Sequence, residues 1–180
     1  MKLSDRIWLT KKCRMESESR FNRYDSFSKY LITYYSSFIL VLSLYSVIEN
    51  KGEYNFSIIS ASMLILIISL LITSMRFKER SLSYKQCYIK LDELLHDIEK
   101  NDQDKKITCE IYKKYNDVLN LTENHSEYDY YKVKYFDKSK EEYLSLSKKE
   151  LFKMFMHWSI MYLLAIIILA LPFLILFFVK

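Results

Sequence analysis

The 180-residue chain contains one glycine, one proline and three cysteines. So little material for tight turns and bulges argues against an all-β fold, and a single glycine cannot form a glycine-rich phosphate loop. Cys13, Cys87 and Cys109 show neither a paired spacing nor a Cys/His ligand pattern, so they read as free thiols rather than a disulfide framework or a zinc site. The first thirty residues are charged throughout, which argues against a cleaved secretory signal. Charge is missing instead from three long stretches: residues 31–48, 56–75 and 158–179 hold no Asp, Glu, Lys or Arg.

At a rise of about 1.5 Å per residue, each stretch is long enough as a helix to cross a hydrocarbon core of about 30 Å. Backbone polar groups in lipid must be satisfied within the segment, so helix is the conformation such isolated segments adopt. The expected fold is an all-α membrane protein. It has an N-terminal amphipathic helix, a transmembrane helical hairpin continuing into a cytosolic helical stalk, and a third, C-terminal transmembrane helix. The expected parts are a basic juxtamembrane helix (1–29), the hairpin (30–75) and a cytosolic helical hairpin (76–121). A polar, Tyr-rich connector (122–150) and the third membrane helix (151–180) follow.

Residues 1–29 carry eight Lys/Arg against four acids, with Ser4 as the expected N-cap and a ragged apolar stripe of Ile7, Trp8, Met15, Phe21 and Tyr24. Such a helix either lies on anionic headgroups with Trp8 or Phe21 in the interface, or packs on the other cytosolic segments. Gly52, flanked by Asn50 and Asn55, supplies the turn of the hairpin. After Met75 the absence of Gly or Pro predicts an unbroken helix into the stalk. Its seam places Phe77, Tyr84, Leu91 and Ile98 seven apart, with Cys87 and Leu94 three residues after the second and third. That seam suits either a coiled-coil rod or packing within the subunit. A polar turn over 101–106 leads to an amphipathic helix with Ile107, Ile111, Tyr115, Val118 and Leu119 on one face. Residues 122–146, including Tyr128, Tyr130, Tyr131, Tyr135 and Tyr143, read as irregular or weakly helical. Ser147 and Glu150 form a capping box for the last helix, in which Pro172 should introduce a bend or a loosened hydrogen bond.

Topology follows from the basic residues. The loop between the first two apolar segments has only Lys51, against eight basic residues before it and seventeen over 76–153. The positive-inside rule therefore puts the N-terminus and central region in the cytoplasm, and by alternation the C-terminus outside. The central region balances its seventeen cations with sixteen acids, so no direct nucleic-acid binding is expected. His125, Glu127 and Asp129 are metal-capable but lack a second His or a Cys pair, and His96 stands alone; no metal, cofactor or catalytic group is expected. Without an ionisable residue inside an apolar segment, an ion-coupled carrier is also disfavoured.

What the apolar segments do carry is hydroxyls at helical spacing. Thr33, Ser36 and Ser43 share one face of the first segment with Val47, and Ser62, Ser69 and Thr73 share one face of the second, in line with Arg76. These residues either line a water-filled path in a homo-oligomer, with Arg76 in a cytosolic charged ring, or pack helix on helix.

The charged run Arg6-Ile-Trp-Leu-Thr-Lys-Lys-Cys-Arg14, the hairpin start Tyr30-Leu-Ile-Thr-Tyr-Tyr-Ser36 and the close second helix followed by the basic stretch from Arg76 resemble the SLATT domain family. These are the SMODS- and SLOG-associating two-transmembrane effector domains of bacterial conflict systems. The resemblance is strongest to the subgroup encoded beside reverse transcriptases. It implies an inner-membrane effector of anti-phage defence that forms a pore or disrupts the membrane when triggered, causing death or growth arrest, with a reverse transcriptase or another nearby sensor as partner. It carries no catalytic motif. The competing expectation is a non-conducting anchor that holds a defence enzyme at the membrane.

Overall fold

The computed structural model describes residues 2–48, 55–100, 105–137 and 146–178, of which 105–108 and 173–178 are described by their backbone alone. The expected turn at Gly52, residues 101–104 of the turn expected over 101–106, the Ile107 side chain and Tyr143 lie outside what is described, and 105 and 106 are already helical in α4. Every element is an α-helix: α1 (Leu3–Ile48), α2 (Asn55–Ser74), α3 (Phe77–Lys100), α4 (Lys105–Asn120), α5 (Glu127–Phe136) and α6 (Lys148–Phe178). Among the described residues three helical stretches are long and apolar enough to cross a membrane, in α1, in α2 and in α6.

α1 is one helix of 46 residues, about 70 Å long, rather than two joined segments. It starts one residue ahead of the expected cap Ser4, and the Asp5 carboxylate accepts the Lys2 N–H at 3.3 Å. The expected unbroken passage from the second apolar segment into the stalk is not found. α2 ends at Ser74, and Arg76 adopts φ 49°, the left-handed conformation that closes helices and that glycine usually supplies. The Met75 N–H reaches the carbonyls of Leu71 and Ile72, and the Arg76 N–H that of Thr73, so the break is a hydrogen-bonded helix end.

The chain divides into two compact units: Met1–Asn22 with Lys78–His157, and Arg23–Phe77 with Trp158–Lys180. In the first, Ile7 of α1, Cys87, Leu91 and Leu94 of α3, and Ile111, Tyr115 and Val118 of α4 form a buried core. Each large apolar side chain so buried contributes roughly 1.5–3 kcal/mol. α1 and α3 run antiparallel: Lys78 Nζ donates to Asn22 Oδ1, Ser81 Oγ to the Glu18 carbonyl, and Lys11 pairs with Asp92.

Of the irregular or weakly helical structure expected over 122–146, residues 127–136 are a regular helix, α5. Ser126 caps it: its Oγ accepts the Asp129 N–H while the Asp129 carboxylate accepts the Ser126 N–H, a complete capping box. The corresponding pair at the start of α6 is also formed, with Ser147 N–H on Glu150 Oε2 at 2.8 Å and Glu150 N–H on Ser147 Oγ at 3.3 Å.

The second unit is built differently. α2 has no buried residue, and Ile59, Met63, Leu66, Leu70 and Leu71 are all exposed. Ser46 Oγ donates to Asn55 Oδ1 at 3.1 Å, tying the end of α1 to the start of α2. In α6, Pro172 has no N–H to give the carbonyl four residues back, that of Ile168. Tyr35 of α1 replaces it, its hydroxyl donating to Ile168 O at 2.6 Å, and Tyr34 donates to Leu169 O at 3.2 Å.

Candidate functional site

Two groups of residues compete as the functional centre, and they are chemically opposite. The first is the set of membrane hydroxyls. Ser62 and Thr73 are exposed and Ser69 is half-buried on α2; Thr33 is exposed and Ser36 and Ser43 are half-buried on α1. Three of them are satisfied by their own helix: Thr33 Oγ1 donates to Lys29 O, Ser62 Oγ to Ile58 O and Thr73 Oγ1 to Ser69 O. A hydroxyl bonded to the carbonyl four residues back tolerates lipid, and its oxygen still accepts a hydrogen bond from water or a neighbouring helix. Arg76, at the end of α2, is exposed.

The stalk residues are engaged inside the chain. Tyr84, Cys87, Leu91 and Leu94 are buried, and Phe77 and Ile98 are half-buried. Leu91, Leu94 and Cys87 meet Ile7 and α4, Tyr84 stacks on Phe21 at 5.5 Å, and Phe77 meets Tyr24 at 5.7 Å. The seam is therefore covered within the subunit. Phe21, 3% exposed, is a core residue and is not presented to a membrane interface.

The second group is a polar node on α1 that pattern reading did not assemble. Asp129 of α5 is 1% exposed, and its carboxylate accepts both Arg20 Nε (2.9 Å) and Nη2 (2.8 Å), Ser17 Oγ (2.8 Å) and Ser126 Oγ (2.8 Å). Burial pushes its carboxyl up, but the bidentate Arg20 guanidinium and the two hydroxyls outweigh this and hold it below its ordinary 3.8. Around the node, Lys132 pairs with Glu16, Lys12 with Asp137 (3.0 Å) and Lys134 with Glu150 (3.6 Å). Cys13 lies alongside, and burial, reinforced by Asp129, pushes its thiol up to about 12, so it is an inert neutral thiol. The Phe21 ring carries Arg20 at 4.6 Å and Arg80 at 4.2 Å, each in cation–π contact. His125 and Asp129, weighed from sequence as metal-capable neighbours, serve different ends: Asp129 is committed to α1 and its own cap. Among the described residues no group of three His, Cys, Asp or Glu side chains could hold a metal ion.

The one local signal for this node was the Ser126–Asp129 spacing, the same capping pattern read correctly at Ser147–Glu150. Its remaining partners, Ser17 and Arg20, stand 112 and 109 residues away in sequence.

Three apolar helices and a charged helical unit, with every described element an α-helix, define an all-α membrane protein. A model of the SMODS and SLOG-associating 2TM effector domain family 5 matches residues 1–178, and the chain belongs to that family. The match includes the third apolar helix α6 as well as the two earlier spans. No curated protein and no solved structure matches the chain.

Proposed function

We propose that the protein is the membrane effector of a bacterial anti-phage conflict system, which on activation assembles into a homo-oligomer that permeabilises the inner membrane and kills or arrests the cell. The observation that carries this reading is α2: twenty residues, uncharged, with none buried by the rest of the chain. Its surface is left to lipid or to other copies of the chain. Three spans from one chain enclose no useful aqueous lumen, so a pore requires several copies. In that assembly Thr33, Ser36, Ser43, Ser62, Ser69 and Thr73 face the path, and Arg76 rings its cytoplasmic mouth. The N-terminus and the first unit lie in the cytoplasm and the C-terminus outside, following the positive-inside rule. The trigger is a reverse transcriptase or another sensor encoded nearby, acting on the cytoplasmic unit. It shifts the population only by as much as it binds the open assembly more tightly than the closed one.

The self-satisfied hydroxyls of Thr33, Ser62 and Thr73 favour a second reading, a non-conducting anchor for a partner enzyme, because such side chains need neither water nor a neighbour. A voltage-sensitive dye in bacteria expressing the chain, alone and with its genomic neighbour under phage challenge, separates the two. Depolarisation in the triggered cells, lost in the Ser43→Leu, Ser62→Leu, Ser69→Leu triple variant at equal membrane abundance, is the expected result. An unchanged potential in every condition, with the protein in the membrane, assigns the anchor.

A further inference from the structure

Arg14 is 2% exposed, and its Nε and Nη1 are wholly buried without a hydrogen-bond partner. A guanidinium does not shed its proton, so this charge stays in the interior, where an uncompensated ion is the most costly group a fold can hold. The neighbouring arginines are matched: Arg20 by Asp129 and Arg80 by Glu123. Arg14 instead sits over the Tyr84 ring, 5.6 Å from its centroid. The segment joining α4 to α5 lies against the same place: Tyr84 donates its hydroxyl to Asn124 O at 3.2 Å, and the charge of Arg14 reaches His125.

The other buried side-chain atoms without a partner, among the described residues, are Arg80 Nε, Thr122 Oγ1 and His125 Nδ1. They are not scattered through the protein. Arg80 pairs with Glu123, which follows Thr122 in sequence; His125 follows Asn124, whose carbonyl takes the Tyr84 hydroxyl; and the charges of Glu123, Arg14 and Arg80 all reach Tyr84. Each can donate a hydrogen bond, and of the two fixed cations Arg80 is already paired with Glu123, so Arg14 holds the charge that is left uncompensated. Water would satisfy donors but not charge; a polyvalent anion with several acceptor oxygens does both.

We propose that Arg14, Arg80, Thr122 and His125 form a binding site for a phosphate-class oxyanion. The ligand is either free phosphate or the phosphoryl group of a lipid headgroup, which offer the same oxygens. This site is independent of the pore reading, because its occupancy is measured by binding and not by conductance.

The test uses the full chain in a non-ionic detergent, titrated with inorganic phosphate and, separately, with water-soluble dihexanoyl phosphatidic acid, against chloride at matched ionic strength. Thermal unfolding and ³¹P line width are the readouts. Saturating ligand should raise Tm by about 4 °C or more, as a ligand bound only to the folded state does. A shift with both probes assigns phosphate chemistry in general, and a shift with phosphatidic acid alone assigns the headgroup. Arg14→Met should abolish the shift. Should that variant fail to fold, His125→Gln carries the test, with an expected loss of about tenfold in affinity, the effect of one hydrogen bond to a charged group. No shift or line broadening beyond the chloride control with either probe, or undiminished binding in His125→Gln and in any folded Arg14→Met, overturns the site.

Discussion

The two units of this chain differ in how their polar side chains are satisfied and in how much apolar surface they cover. In the first, buried polar groups such as Asp129 and Ser17 are matched to partners on other helices. In the second, the hydroxyls of Thr33, Ser62 and Thr73 turn back onto their own helix, and most of the apolar surface of α2 meets nothing in the chain. The difference teaches where stability resides. The first unit is held by specific contacts a single substitution can break; the second depends on the medium around it.

The largest effect should come from the node. Asp129→Ala strands Arg20 and removes the cap of α5, with an expected cost of about 3–5 kcal/mol; unfolding of the detergent-solubilised protein measures it, and a loss below about 1 kcal/mol would mean that the node is not what fixes α5 to α1. Next, Leu91→Ala should cost roughly 2–5 kcal/mol, whereas the same truncation at Leu66, 62% exposed on α2, should cost little in detergent. Equal effects at the two positions would erase the contrast between the units. At the break between α2 and α3, Arg76→Gly should stabilise the left-handed turn by about 1–2 kcal/mol. If Arg76 also rings a pore, that more stable variant conducts differently.

The smallest expected effect is a pH dependence. Burial first, then the charge of Arg14, pushes the His125 imidazole below its ordinary 6.5, while Asp129 acts against this. The unfolded chain therefore binds a proton before the folded one does, so the stability His125 contributes is present above 6.5 and is lost as pH falls from there through the folded value. Between pH 7 and 5.5 the Tm of the wild type should fall more than that of His125→Gln. Parallel curves would show that His125 meets the same environment in both states.

The apolar helices were legible because hydropathy is local and additive over twenty residues. So was the seam of α3, whose members are apolar. α1 carries the same seven-residue spacing in Ile7, Arg14, Phe21 and Ser28, all buried along with Cys13, Ser17 and Ser46, but two of these four count as polar. A stripe holding an arginine looks ragged until its surroundings are known. The break at Arg76 escaped because an arginine takes a position usually given to glycine, and no sequence signal marks that exchange. Asp129 was visible as a carboxylate near a histidine, but its chemistry comes from Ser17 and Arg20, brought to it only by the packing of α5 on α1.

Tyr35 alters the standing of the third apolar helix. The family is described by two spans, and a C-terminal third could be taken for an appendage to be trimmed without consequence. Yet the carbonyl that Pro172 leaves unserved is served by a hydroxyl from α1, so each helix completes the other's hydrogen bonding. Deleting α6 would leave that phenol without its acceptor, and removing the phenol would strand a carbonyl. A truncated chain is therefore a damaged protein rather than a minimal one.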